Sequence, residues 1–377
     1  MARLTCGSVV AALLLSGSAL AAPENVRRAV NPVVASTTNY GSLVEPGMTR
    51  DSCTSTLWTT NTVLWVCRDT QPVSNNVATL PVIPNTASFS GLPTARTNPR
   101  PLTLTSPPFG SLFYPLEADE CPVNGQCSDG TRWVGWPDTA PAVTFIGSSG
   151  TNAYAFLRKQ HLSGLAMVNK PSTTLYHVIS QGSGSSALPS ANVAVSGFWS
   201  STQVGYGVAG SVVRNGFAYL YGPTPNGKLA LARAAQTGFL GSLEDKSLYE
   251  YYVNGAWTRT APASTDSTIP LPNTSSVQGQ FYWSNKWQAY VWIGGDGFPN
   301  ANFLISTAPN PEGPWTAAKT FFSGPVGTGA LPAYSAVAHP SLTDGTGNYI
   351  FLTYTKTSLD RNGNTLYEQP LFRVDWQ

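Results

Sequence analysis

Hydrophobic residues recur along this 377-residue chain in short alternating segments rather than in helical stripes. Branched aliphatic and aromatic residues dominate the segments, and Gly, Pro and Asn turns separate them, which is the pattern of short β-strands. The clearest segments are residues 62–67, 142–146, 153–157, 216–221, 228–233, 288–293, 302–306 and 349–355. The pattern predicts an all-β chain.

A loose internal repeat indicates how these strands are organised. Residues 217–221 and 229–233 resemble residues 289–292 and 302–306, and each pair is followed by a small residue, a Trp and a Thr. Successive strands with a closing aromatic corner are typical of one four-stranded propeller blade. The predicted innermost strands begin near Asp51, Asp138, Trp199, Phe281 and His339. We therefore predict a five-bladed β-propeller; the alternative, a two-sheet sandwich, does not predict the repeated corners.

The N-terminus has the features of a secretory signal. Arg3 precedes an apolar run over residues 9–15 and an Ala-Leu-Ala site at residues 19–21, which is too short to span a bilayer. We predict a signal peptide over residues 1–21, an N-terminal extension over 22–40 and a single propeller domain over 41–377. The expected location is extracellular.

Composition restricts the partners. Charged residues form 11% of the chain, the formal net charge is +2 and no basic tract occurs, so neither nucleic acid nor a membrane is an expected partner. The 11 Trp and 16 Tyr residues suit a neutral polysaccharide or oligosaccharide, although they also suit any secreted all-β protein. We expect a monomer without cofactor or metal.

Four cysteines remain after Cys6 leaves with the signal, and four allow three pairings. We favour two local disulfides because each closes a short loop: Cys53–Cys67 and Cys121–Cys127. Asn273 begins the N-x-S/T sequon of the chain and is the predicted glycosylation site.

Asp51 and Asp69 are placed symmetrically about the first cysteine pair. If Cys53 and Cys67 face each other in an antiparallel hairpin, opposed residues have numbers that sum to 120, as those of Asp51 and Asp69 do. Side chains two positions apart share a face, so both carboxylates would emerge beside the disulfide. Close like charges raise one pKa, which suits acid–base chemistry. The alternative is a surface hairpin in which Arg50 and Arg68 hold the aspartates.

Other candidates depend on the predicted blades. Asp138 precedes the second innermost strand, so it is either a third catalytic carboxylate or an Asp that binds turn amides. Glu117 and Glu120 lie in the loop pinned by Cys121–Cys127 and could line a cleft. His339 could lie near a central channel or in the core. Substrate contacts are further predicted for two arginines and three aromatic residues: Arg50, Arg68, Trp199, Tyr206 and Trp283.

The segments at residues 50–52 and 64–70 resemble the paired "R-D" and "W-x-x-G-D-T" segments of a secreted β-propeller family of unknown function, DUF4185, and residues 311–316 resemble a "P-x-G-P-W" blade corner. That family includes endo-D-arabinanases and is related to five-bladed propeller glycosidases. The resemblance implies glycoside hydrolysis of an arabinan-like furanoside polymer, with Asp51 and Asp69 as the carried-over carboxylates. Arg68 stands where many relatives have Gly.

Within this interpretation Asp51 activates water or attacks the anomeric carbon, Asp69 tunes it and Asp138 is the candidate acid. Two other functions stay open. A propeller polysaccharide lyase would use a neutralising Arg with His or Tyr, for which the candidates are Arg68, His339 and Tyr206. A non-catalytic carbohydrate-binding propeller would make the aspartate pair structural.

Overall fold

The computed structural model describes residues 29–181, 187–236 and 242–377. The predicted signal peptide and Cys6 lie outside these ranges. Strands and two short 3₁₀ helices, Lys246–Leu248 and Pro340–Leu342, make up the regular structure of the described residues, which contain no α-helix. The all-β prediction is confirmed. Neither of these helices has the length and hydropathy of a membrane span.

The strands up to residue 181 are, in chain order, β1 (Val34–Ser42), β2 (Met48–Arg50), β3 (Thr54–Leu57), β4 (Val63–Cys67), β5 (Thr70–Ser74), β6 (Val77–Ala78), β7 (Thr86–Ser90), β8 (Arg132–Gly135), β9 (Ala142–Gly147), β10 (Gly150–Ser163), β11 (Ala166–Met167) and β12 (Thr173–Gln181). They are followed by β13 (Ser190–Trp199), β14 (Gly210–Arg214), β15 (Phe217–Pro223), β16 (Leu229–Ala235), β17 (Tyr249–Val253), β18 (Ala256–Thr258), β19 (Gly279–Ser284), β20 (Ala289–Gly295), β21 (Asn302–Ala308), β22 (Lys319–Ser323), β23 (Ala333–Ala338), β24 (Tyr349–Leu359), β25 (Thr365–Glu368) and β26 (Pro370–Trp376).

These strands form antiparallel sheets that follow one another along the chain. The sheets contain β3, β4 and β7; β8 to β13; β14 to β18; β19 to β22; and β23, β24, β26, β25 and β1, with a small sheet of β2, β5 and β6 beside the first. Strand β1 pairs with β26, from Val34 opposite Trp376 to Ser42 opposite Pro370. Residues 34–40, which belong to the predicted N-terminal extension, are therefore part of the last sheet.

One strand of each sheet packs against a strand of the next sheet. Strand β3 contacts β9, β9 contacts β14, β14 contacts β19 and β19 contacts β23, while the 3₁₀ helix after β23 contacts β3. Two predicted strand starts are wrong. Trp199 ends β13 at the far side of the second sheet, and the third sheet starts with β14, whereas His339 follows β23 instead of opening it. Both residues belong to apolar stretches, and such stretches alone do not distinguish the start of a strand from its end.

Burial explains the sequence pattern of the strands. Every residue of β4 and β20 is buried, because neighbouring sheets cover both faces, so these strands are nearly continuous apolar runs. The edge strand β1 alternates between exposed and partly buried positions over most of its length. Hydrophobic clusters fill the spaces between consecutive sheets; one of them joins Trp65 of β4 to Phe351 of β24, which brings the first and last sheets together.

Candidate active site

A pocket of about 270 Å³ opens where the innermost strands begin. Its lining includes Asp138 before β9, Ala209 before β14, Gln278 before β19 and Tyr334 near the start of β23. Arg68, which directly follows β4, lies in the same wall. Because the innermost strands pack side by side, residues far apart in sequence meet here.

The first hairpin has the predicted register. Thr54 pairs with Val66 and Leu57 with Val63, and on the other side of the disulfide Arg50 pairs with Thr70. Both local disulfides are present, Cys53–Cys67 and Cys121–Cys127. Asp51 and Asp69 lie between these strands and face each other as the residue numbers predict, with the Asp51 amide donating to the Asp69 carbonyl at 2.9 Å.

Each aspartate of the hairpin nevertheless has its own partners. Asp69 accepts hydrogen bonds from Arg132 Nη2 at 2.6 Å and from Trp136 Nε1 at 2.8 Å. Asp51 is 8% exposed and accepts hydrogen bonds from Ser52 Oγ at 2.6 Å and Thr355 Oγ1 at 2.9 Å. Burial and the adjacent Asp51 carboxyl raise the pKa of Tyr334, so the buried carboxyl neighbours a residue of the pocket.

The environment of Asp51 favours its protonated form. Burial raises the pKa of Asp51 above its usual range, against the opposing effect of the Arg68 guanidinium. The Asp69 carboxylate adds a smaller increase in the Asp51 pKa. The prediction that one pKa of the pair rises therefore agrees with the structure, but loss of solvation is the larger cause.

Asp138 is held as an anion by two guanidinium groups. Its Oδ1 accepts a hydrogen bond from Arg68 Nη2, and its Oδ2 accepts one from Arg158 Nη2 at 3.3 Å. Burial would raise the pKa of Asp138, but Arg68 and Arg158 outweigh it and hold the pKa below its usual range. Gln278 Nε2 donates to the backbone oxygen of Asp138 at 3.1 Å and fixes the position of this residue.

The backbone is strained directly after Asp51 and directly after Tyr334. Ser52 and Ser335 have φ values of +46° and +56°, and they directly follow Asp51 and Tyr334. Residues other than glycine seldom adopt this region, and strain of about 1–3 kcal/mol per residue concentrates at functional sites. Ser52 is held there because its amide donates to Thr355 Oγ1 at 2.8 Å.

Three pocket residues were not predicted from sequence. Arg158 lies on β10 and contacts Asp138, Tyr334 lies on β23, and Phe298 is 64% exposed at the pocket. The Phe298 and Tyr334 rings stack with centroids 5.2 Å apart. The available signal for Arg158 was a charged residue directly after the apolar segment at residues 153–157 of β10; no comparable signal distinguishes Tyr334 from other aromatic residues.

Several predicted substrate-binding residues lie away from this pocket. Arg50 is buried, donates to Ser88 Oγ at 2.9 Å and Ser106 Oγ at 2.8 Å, and lines a different cavity. Trp199 and Tyr206 are 1% and 2% exposed and pack in the core, where Trp199 Nε1 donates to the Tyr206 carbonyl. Trp283 stacks under Arg214, whose guanidinium carbon Cζ lies 3.7 Å from the centroid of the Trp283 ring.

His339 is fully buried between sheets. Its Nδ1 lies 2.7 Å from Ser55 Oγ and its Nε2 lies 2.6 Å from Thr353 Oγ1. Burial lowers the pKa of His339 to about 3. This histidine therefore stays neutral and joins the last sheet to the first, which corresponds to the core alternative.

The loop acids and the sequon have distinct environments. Glu117 and Glu120 both approach Lys159 Nζ, at 3.9 and 2.5 Å, so they form an ion cluster on the side of β10 that does not face the pocket. Asn273 is exposed, with its Nδ2 donating to the Trp315 carbonyl at 3.0 Å. Its glycosylation stays a prediction.

Fold and site together define an all-β protein whose successive sheets surround a pocket of Arg, Asp and Tyr side chains. The chain belongs to the family described as "Domain of unknown function (DUF5005)", which it matches over residues 146–371. The resemblance to DUF4185 rested on residues 50–70, which precede the matched range, and the family match is to DUF5005 instead. No curated protein matches the sequence.

Solved structures resemble the fold at low sequence identity. A candidate hydrolase from Bacteroides ovatus is 16% identical over 88% of this chain and 86% of its own, with a TM-score of 0.56. A GH43 enzyme from Xanthomonas citri in complex with xylotriose is 10% identical over 90% and 89%, with a TM-score of 0.46. An α-L-arabinofuranosidase from Podospora anserina in complex with cellotriose is 11% identical over 91% and 97%, with a TM-score of 0.43.

Proposed function

We propose that this protein is a secreted, five-bladed β-propeller glycoside hydrolase that cleaves a polysaccharide in the pocket beside Asp138. The observation that carries the proposal is a pair of carboxyl groups on either side of Arg68 whose pKa values are displaced in opposite directions. Glycosidases use one carboxylic acid and one carboxylate, and such a pair divides these two roles. The ring of contacts between strands of successive sheets and the β1–β26 pairing support the five-bladed arrangement.

The electrostatics support roles opposite to those expected from sequence. Asp51, with its raised pKa, is the proton donor, and its neighbour Tyr334 lines the pocket. Asp138 stays ionised and accepts a proton from the water that attacks the anomeric carbon. As the C–O bond breaks, the Tyr334 hydroxyl gives its proton to the departing glycosidic oxygen and takes the proton of Asp51 in its place. Asp69, bound by Arg132 and Trp136, orients the hairpin and adds to the rise in the Asp51 pKa.

A panel of polysaccharides tests the proposal. Purified protein is incubated with arabinans, D-arabinan, xylan and uronate-containing polymers, and the products are identified by mass spectrometry. Asp51→Asn and Asp138→Asn should each reduce turnover by several orders of magnitude, whereas the exposed control Asp119→Asn should not. If Asp138→Asn keeps a tenth of the wild-type turnover, the assignment of the site is wrong.

Leaving-group chemistry separates the two roles. An aryl glycoside with an acidic phenol needs no proton donor, so Asp51→Asn should retain most of its activity on that substrate while losing activity on the polysaccharide. Asp138→Asn should lose both activities. The opposite pattern would restore the assignment made from sequence.

A polysaccharide lyase is the second candidate, because Tyr334 and Arg68 line one wall of the pocket. Arg68 keeps the neutralising role expected from sequence, and Tyr334 takes the role for which His339 and Tyr206 were considered, since those two residues lie in the core. Elimination would leave an unsaturated uronate that absorbs in the ultraviolet, whereas hydrolysis leaves a reducing end without new absorbance. Burial and the neighbouring Asp51 carboxyl raise the pKa of Tyr334, which makes it a poor base and favours hydrolysis.

A further inference from the structure

We infer that the pocket binds a sugar residue that carries a carboxylate, a uronate, and that Arg68 and Arg158 receive its negative charge. The inference rests on the proposed function and names its substrate class. The low charge of the whole chain suggested a neutral polymer, but the charge of the pocket differs from that of the chain.

The charged residues that line the pocket are two arginines and one aspartate: Arg68, Arg158 and Asp138. Two further acids lie nearby: Asp51, which is 8% exposed, and Asp296, which accepts a hydrogen bond from Asn302 Nδ2 at 2.9 Å. Asp69 forms its own ion pair with Arg132 at 2.6 Å. The lining itself therefore carries two positive side chains and one negative side chain, and this excess of positive charge attracts a bound anion.

The two guanidinium groups have unused donors. A guanidinium carries five N–H donors in a planar fork that matches a carboxylate. Across the ranges that the structure describes, Asp138 is the sole hydrogen-bond acceptor found for either Arg68 or Arg158, each through Nη2. The Arg158 side chain is 36% exposed, so its guanidinium can be reached by a ligand, whereas its Nε is buried without a partner. Asp138 holds both groups in place before the ligand arrives.

The reaction itself also favours an anionic substrate. Glycoside hydrolysis develops positive charge at the anomeric carbon in an oxocarbenium-like transition state. Two arginines beside a neutral sugar would oppose that charge. A carboxylate on the same sugar pairs with the arginines and offsets their repulsion, so the same pocket can then bind the substrate and permit the chemistry.

The shape of the pocket fits one sugar residue. Its volume of about 270 Å³ is near the lower end of the roughly 300–1,000 Å³ typical of ligand sites. Phe298, stacked on Tyr334 and exposed at the rim, offers an apolar face to the C–H face of a sugar ring. The arginines and this aromatic wall together distinguish a charged sugar from a free anion.

Binding to matched ligands tests the inference without requiring catalysis. Ligand-observed NMR compares D-glucuronate with D-glucuronamide, which has the same shape without the charge, and D-galacturonate with D-galactose. For at least one pair we expect the acid to bind at least about tenfold more tightly to the wild-type protein, with the difference shrinking as salt is raised. Arg158→Gln should remove this preference, whereas the exposed control Arg361→Gln should keep it.

The possible outcomes are distinct. Equal or tighter binding of both neutral partners overturns the inference, and this result needs no variant. A uronate preference that survives in folded Arg158→Gln and in Arg68→Gln overturns the assignment of the two arginines. If uronates bind as expected but no polysaccharide of the panel is cleaved, the proposed hydrolase function fails and the inferred ligand class stands. If neutral polymers alone are cleaved, the inference fails and the hydrolase function stands.

Discussion

Asp138→Asn should destabilise the fold as well as abolish activity, because it removes the anion that two arginines share. The side chains of Arg68 and Asp138 are 17% and 16% exposed, so this ion pair is mostly buried. Removing one partner of a buried pair costs about 3–5 kcal/mol. Arg158 is more exposed, at 36%, and its pair with Asp138 adds little.

Residual exposure of the pair lowers the expected cost to roughly 2–4 kcal/mol in the free energy of unfolding. For a chain of this length the entropy of unfolding is about 0.7 kcal/mol per degree, so the melting temperature should fall by about 3–6 °C at pH 7. Scanning calorimetry or thermal circular dichroism measures this change. The exposed control Asp119→Asn should change the free energy of unfolding by less than about 0.5 kcal/mol.

The pH dependence of this difference tests its cause. The pKa of Asp138 is lowered in the folded protein, so its contribution to stability is complete above the ordinary Asp pKa of about 3.9 and is lost as the pH falls through the folded value. The gap between wild type and variant should be constant from about pH 5 to 8 and should narrow below about pH 4. A variant that melts within a degree of wild type at pH 7 would show that the Arg68–Asp138–Arg158 arrangement does not stabilise the fold.

Three further predictions follow from other residues. Because burial lowers the pKa of His339 to about 3, the unfolded state binds a proton between about pH 6.5 and 3 that the folded state does not. The free energy of unfolding of the wild type should therefore fall by up to about 1.4 kcal/mol per pH unit as the pH is lowered over this range. In acid titrations of stability, His339→Asn should lack this contribution. Because Phe298 is 64% exposed, Phe298→Ala should shift the melting temperature by no more than about 2 °C. The same variant should reduce kcat/KM on the cleaved polymer about tenfold, and unchanged kinetics would show that Phe298 is not part of the site. Peptide mapping without reduction should recover the Cys53–Cys67 and Cys121–Cys127 disulfides, whereas a Cys53–Cys121 peptide would contradict the hairpin register. The double variant Cys53→Ser, Cys67→Ser should lower the free energy of unfolding by about 3 kcal/mol for a loop of this length.

The sequence was most informative where the structure is local. Within the first hairpin, the period of two fixes which residues oppose each other, so once Cys53 was paired with Cys67 because that bond closes a short loop, the residue numbers placed Asp51 opposite Asp69. The repeat between residues 217–233 and 289–306 likewise marked the second and third strands of two sheets, β15 with β16 and β20 with β21. Trp199 was misplaced because an aromatic residue at the end of an outer strand has the same sequence context as one at the start of an inner strand.

By itself, then, the sequence determined the all-β class, the hairpin register, the two disulfides and the position of Asp51 and Asp138 ahead of inner strands. Only the tertiary structure decided what surrounds those carboxyl groups. Arg158 comes from β10 and Tyr334 from β23, and packing between non-adjacent segments brings them to Asp138 and Asp51. A pKa depends on burial and on charges a few ångströms away. The order in which the sheets pack sets both, and that order is not encoded in any single stretch of the chain.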